Sequence, residues 1–81
     1  MIRFRIMELL AEKQFADGHR VTMSELSLAT GINRGTLSKM VNQRGYSTVT
    51  GNIDLLCKFF DCKIEDVMEF VPDTAEDQSL K

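Results

Sequence analysis

The run TMSELSLATGINRGTLSKMVN, residues 22–42, reads as two short helices broken at a glycine. Thr22 and Glu25 have the S/T-x-x-E spacing of a capping box, in which the hydroxyl meets the backbone N–H three residues on and the carboxylate reaches back to the cap. A helix therefore starts near Met23. Gly31 follows, and glycine enters the left-handed conformation that closes a helix without a Cβ clash. Asn33 is a good N-cap, so a second helix restarts almost at once.

Successive helical residues lie about 100° apart, which puts Leu37, Met40 and Val41 on one face of the second helix. Arg34, Gly35, Ser38, Lys39 and Asn42 fall on the opposite face. The apolar triad holds this helix against its partner. The outer face then presents two cations, a hydroxyl, an amide and one residue small enough for close approach. Those groups read base edges: Arg or Lys on guanine, Asn on adenine, Ser on several bases. Gly35 costs about 0.8–1 kcal/mol relative to Ala inside a helix, less in the first turn, and close approach of the backbone to another surface accounts for it. With Ser27 as the small residue of the first helix, the segment has the layout of a DNA-reading helix-turn-helix.

Eighty-one residues make one domain with one small core. The net charge of −2 argues against a nucleic-acid partner until it is divided along the chain. Residues 1–60 hold eight Lys/Arg against five Asp/Glu, or +3; residues 61–81 hold two against seven, or −5. From Arg20 to Arg44 there are four cations and one acid, and local patches rather than overall pI set phosphate attraction. Two cysteines, Cys57 and Cys62, and one histidine cannot assemble a four-ligand zinc site within the chain, so no metal or cofactor is expected. Cys57 lies on an apolar helical stripe and reads as a small buried hydrophobe, with a disulfide or redox role as the alternative. His19 reads as a solvated loop residue. Ile2 to Ile6 is too short, and too interrupted by Arg3 and Arg5, for a signal peptide, and no apolar run approaches membrane-spanning length. A reduced, cytoplasmic, nucleoid-associated protein is the simple expectation.

Around the central motif, Ile2, Phe4 and Ile6 alternate with arginines, predicting a short extended start, and helical spacing predicts a first helix over about 5–15. Residues 16–20 form a polar loop containing Gly18. The donor-rich loop Gln43 to Thr48 follows the second helix of the motif, where such groups position a protein on phosphates without carrying sequence information. Thr50 is expected to cap a fourth helix, with Ile53, Leu56, Cys57 and Phe60 on one stripe and Leu55 and Phe59 on another. A fifth is expected over about 64–70, ending before Pro72 and burying Val67, Phe70 and Val71. Residues 73–81, DTAEDQSLK, are expected to form a disordered acidic tail after a helix-turn-helix domain over 1–72.

On these residues the chain resembles the Cro and phage-repressor-like (XRE-type) helix-turn-helix regulators. The resemblance covers roughly residues 2–72 and is anchored at Leu26, Gly31, Ile32, Leu37 and the segment IDLLCKFFDCKIEDVMEFVPD, residues 53–73, which looks like that of a subgroup of small bacterial regulators. It implies an all-α, five-helix lambda-repressor-like domain, here with a short N-terminal extended segment. It places base reading on Arg34, Gly35, Ser38 and Lys39. Backbone contacts fall on Asn33, Asn42 and the Arg44–Thr48 loop, which includes Tyr46 and Ser47. Two positions depart from the family pattern. Met23 stands where a phosphate-holding Gln is common, so Ser24 or Thr22 is expected to substitute. Ser27 stands where Ala is usual.

The favoured function is a sequence-specific regulator of transcription, a repressor, bound to double-stranded DNA as a homodimer across a palindrome. Leu55, Phe59 and Phe70 are the candidate dimer interface. The competing class is a protein-interaction module, such as an antitoxin or anti-activator, whose apolar and acidic C-terminal surface binds a protein partner. No Gly-rich phosphate loop and no nucleophile with a base beside it points to an enzyme.

Overall fold

Helical periodicity in the N-terminal third produces the first packing surface. In the computed structural model, which describes residues 1–72, α1 spans Ile6–Asp17 and buries Ile6, Leu9 and Leu10. It ends at Gly18, whose φ of 77° lets its N–H bond the Gln14 carbonyl at 2.9 Å. Helix α2 spans Met23–Thr30, α3 Arg34–Asn42, α4 Thr50–Phe60 and α5 Ile64–Val67. Each of the five helices contributes one side chain of 0% exposure to a shared core: Ile6, Leu26, Leu37, Leu56 and Val67. Val21 and Ile32, which lie outside the helices, seal it.

The extended start is real and has a partner. Strand β1, Ile2–Phe4, pairs antiparallel with β2, Met68–Phe70, in the register Ile2 to Phe70, Arg3 to Glu69 and Phe4 to Met68. The Met1 amino group donates to the Val71 carbonyl at 2.9 Å, and the Arg5 N–H to Val67 O at 2.6 Å, so the ribbon is tied at both ends. Arg3 bridges Glu69 across the strands and Glu8 on α1. Burial pushes the Glu8 carboxyl up, but its hydrogen bond from Arg3, a backbone bond and the nearby Arg3 and Arg5 charges outweigh this and hold it below the usual range.

Three expectations are corrected here. The last helix stops at Val67 rather than Phe70, because the backbone of 68–70 bonds to β1 instead of continuing the helix. Phe70 is accordingly 68% exposed and not part of the buried face, while Val67 is fully buried and Val71 half-buried. Thr50 is the first residue of α4, not its cap: Val49 holds the cap position without a side-chain bond, and the Asn52 amide donates to Thr48 Oγ1 at 2.8 Å just before the helix. The tail expected over 73–81 lies outside the described residues.

Candidate nucleic-acid interface

The geometry of the central motif follows from how its polar side chains satisfy the helix ends. Thr22 Oγ1 accepts from the Glu25 N–H at 3.1 Å and the Glu25 carboxylate accepts from the Thr22 N–H at 3.4 Å, completing the capping box. At the far end of α2, Gly31 takes φ 80° and donates to the Ser27 carbonyl at 2.8 Å. Two hydroxyls then lock the turn. Ser27 Oγ donates to Ile32 O at 2.6 Å; Thr30 Oγ1 donates to Leu26 O at 2.7 Å and accepts from Ile32 N at 3.2 Å. Thr30 is the one buried polar residue among those described, and it meets its hydrogen-bonding needs within the turn. This latch fixes the angle at which α3 leaves α2, and sequence reasoning missed it, reading Ser27 only for its small size and Thr30 not at all.

Helix α3 begins at Asn33, whose Oδ1 accepts from Gly35 N at 2.7 Å and Thr36 N at 3.4 Å. Leu37 and Met40 are buried and Val41 half-buried, as the periodicity requires. Arg34, Gly35, Ser38, Lys39 and Asn42 are all exposed on the other side. Arg34, Ser38 and Asn42 are spaced i, i+4, i+8, a row about 12 Å long at 1.5 Å per residue. Within it the Asn42 amide donates to Ser38 Oγ at 3.3 Å, so these two side chains act as one polar unit.

Gly35 has a local reason for being glycine. A Cβ there would stand 2.9 Å from Asn33 Oδ1, the oxygen that caps the helix. Its presence therefore reflects the cap at least as directly as it reflects approach to another surface. The same cap uses Asn33 Oδ1, leaving the amide NH2 as the group this residue can offer outward.

The remaining backbone-contact candidates divide. Ser24, Arg44 and Ser47 are exposed; Tyr46 and Thr48 are half-buried, Tyr46 packing against the core. The Thr22 hydroxyl also donates to Glu25 Oε1 at 3.3 Å and is occupied by the capping box. Thr48 Oγ1 accepts from Asn52 and keeps its own proton to donate. Leu55 and Phe59 are half-buried and pack against the core, with the Phe59 ring 5.0 Å from that of Phe60 and Lys13 Nζ 5.1 Å above it. Of the three dimer candidates, Phe70 alone is an exposed apolar side chain.

Ion pairing separates the cations of α3 from Arg3, Lys13 and Lys58, though not from Arg20 and Lys63, which also make no ion pair among the described residues. Arg3 is bonded to Glu8 and Glu69, Lys13 to Asp17 at 3.2 Å and Lys58 to Asp54 at 3.0 Å. Among the described residues, Arg34 and Lys39 make no ion pair. The cause is visible in the chain: between Glu25 and Asp54 there is no acidic residue at all, while Arg34, Lys39 and Arg44 lie in that interval. This acid-free stretch is the sequence signal that a count of overall charge conceals.

A family model described as the Cro/C1-type HTH DNA-binding domain matches residues 5–73. The chain belongs to that family. The comparison with curated proteins gave no match. Membership agrees with five helices around one core, the glycine turn between α2 and α3, and the exposed cationic face of α3. As a Cro/C1-type domain, the chain is a DNA-binding regulator. No helix among the described residues is long and apolar enough to cross a membrane.

Proposed function

We propose that this Cro/C1-type domain is a sequence-specific repressor of transcription that reads the major groove with α3. The observation that carries the reading is the pair of cations, Arg34 and Lys39, held without a carboxylate partner among the described residues on the exposed face of a capped, core-anchored helix. A groove about 12 Å wide admits such a helix. Arg34 and Lys39 meet guanines, the Ser38–Asn42 unit offers a donor and an acceptor to a neighbouring base or phosphate, and Gly35 leaves room. Asn33, Arg44, Ser47 and Tyr46 lie along the phosphates, with Ser24 and Thr22 at the start of α2 and Thr48 closing the loop.

One copy buries modest surface, so affinity useful in a cell comes from a homodimer on a palindrome with half-sites about one helical turn apart. The exposed pair Ile2 and Phe70, opposite each other on the ribbon, supports a contact there, whereas Leu55 and Phe59 already serve the core. The site of action is cytoplasmic, at the nucleoid.

Selection from a random double-stranded pool at about 0.15 M salt, a regime in which the Debye length is about 8 Å, tests the proposal. Arg34→Ala/Lys39→Ala is run in parallel. An enriched palindrome lost in the variant is expected. Absence of enrichment with folded protein would refute the reading and favour the protein-interaction class.

A further inference from the structure

A groove of about 400 Å3 runs between the β1–β2 ribbon, the first turn of α1 and the C-terminal end of α3. Its apolar wall includes Ile2, Phe4, Met7, Met40 and Val41, and its polar side includes Asn42 and Arg44, two residues assigned above to the DNA backbone. Val71 also lines it. Past Val71, the sequence continues through Pro72 into Asp73-Thr74-Ala75-Glu76-Asp77-Gln78-Ser79-Leu80-Lys81.

We propose that residues 73–81 of the same chain dock in this groove and compete there with DNA phosphate. Three observations select this occupant. The segment is tethered at the groove itself, and a short tether supplies an effective concentration on the order of millimolar, which a free partner rarely reaches. Nine residues extend to at most about 30 Å, more than the roughly 12 Å row on α3, so reach is ample. Its composition is complementary: three carboxylates against one lysine, for a groove lined by Arg3 and Arg44 against the single carboxylate of Glu8, and Ala75 and Leu80 for the wall of Met7, Met40 and Val41.

The functional consequence rests on the DNA-binding reading. A segment lying over Asn42 and Arg44 weakens binding that depends on phosphate contacts alone, whereas an operator that also engages Arg34 and Lys39 displaces it. The tail then acts as an internal competitor that widens the ratio of specific to non-specific affinity.

The methionines provide a built-in probe. Met1, Met7 and Met40 line the groove, while Met23 and Met68 do not. In the full chain with 13C-labelled methionine methyls, Leu80→Ser and the combined Asp73→Asn/Glu76→Gln/Asp77→Asn variant are expected to shift the three groove methyls and leave the other two in place. All five unmoved in both variants would overturn the docking. Groove shifts that vanish on dilution would assign the site to a second copy and overturn it equally. On random duplex DNA, Leu80→Ser changes no charge yet is expected to tighten binding. If about three molecules in four are docked, release raises apparent affinity about fourfold. An affinity that responds only to the charge variant would reduce the tail to general repulsion and sink the competition. Shifted groove methyls in a protein that binds no DNA would uphold the docking and remove the DNA reading instead.

Discussion

Gly35→Ala sets two opposing effects against each other at the first turn of α3. Alanine gains up to about 1 kcal/mol of helix propensity over glycine, less so near a terminus. Against this, the new Cβ meets Asn33 Oδ1 at 2.9 Å. That oxygen cannot retreat freely, since it accepts from the N–H of residue 35 itself at 2.7 Å, and its second bond, to Thr36 N, is already 3.4 Å long. The carboxamide is therefore expected to swing out and abandon the cap, a loss worth about 1 kcal/mol within a range of roughly 0.5–2. The single variant comes out between neutral and about 1 kcal/mol destabilised, which by itself decides little.

The cycle with Asn33→Ala decides it. In the native background Asn33→Ala should cost about 1 kcal/mol; in the Gly35→Ala background, where the cap is already lost, it should cost nearly nothing. Urea unfolding of the four proteins gives a coupling of about 1 kcal/mol, a difference of about 4–8 °C in Tm for a domain of this size. Equal costs of Asn33→Ala in both backgrounds would refute the steric argument and show that cap and alanine coexist. DNA affinity supplies the second reading of the same position. A loss in Gly35→Ala beyond that in Asn33→Ala measures the room glycine leaves at the DNA surface, separate from its role in the cap.

Thr30→Val keeps the shape of the turn but leaves the buried Ile32 N–H without its acceptor, and a loss of about 1–3 kcal/mol is expected by thermal or urea unfolding; an unchanged stability would show that the latch contributes nothing. Arg34→Ala should cost about 1–3 kcal/mol on the selected operator and far less on random duplex, while Arg44→Ala should weaken both alike and lower the salt slope by about 1; binding curves at several salt concentrations separate the two. The Cys62 thiol is pushed up to about 11, chiefly by burial and then by Cys57 and the carboxylates of Asp66 and Asp61. Its alkylation by iodoacetamide should keep accelerating above pH 10. Because the folded state holds this proton more tightly than the unfolded chain, the associated stability is intact below about pH 8.5 and lost as pH rises toward 11. A reaction rate that levels off near pH 9 would contradict the half-buried, protonated thiol.

The central motif was legible because its signals are local. Thr22, Glu25, Gly31 and Asn33 each satisfy backbone groups within three or four residues, and spacing along the chain encodes such bonds directly. Leu37, Met40 and Val41 were legible for the same reason. The fifth helix was overrun because Val67, Phe70 and Val71 fit helical spacing as well as Met68-Glu69-Phe70 fits a strand. What decides between them is β1, more than sixty residues away, whose backbone takes up the hydrogen bonds of 68–70. Thr30 escaped notice since a threonine near a helix end has many roles, and only burial identifies this one. For Gly35, the constraint lies between two side-chain atoms rather than in the pattern, so the sequence shows that glycine is unusual there without showing what it avoids.

Residues 1–72 carry nine Lys/Arg and nine Asp/Glu, so the described domain is neutral, and yet its surface is not uniform. Arg3, Lys13 and Lys58 are answered by carboxylates close by, and the field of each such pair falls off quickly with distance. Arg34 and Lys39, which make no ion pair among the described residues, act over a Debye length, about 8 Å at physiological ionic strength, which is the range that matters to an approaching phosphate. Two substitutions that change net charge by the same amount separate this account from one based on total charge. Gln43→Glu places a carboxylate on an exposed position beside Asn42 and Arg44, whereas Lys58→Gln removes one member of an exposed α4 pair. Both lower the charge by one. If sorting of charge governs binding, Gln43→Glu should weaken affinity for every duplex by a factor that shrinks as salt is raised, and Lys58→Gln should leave affinity unchanged. Equal losses would mean that the protein's total charge, rather than the acid-free face of α3, sets its attraction to DNA.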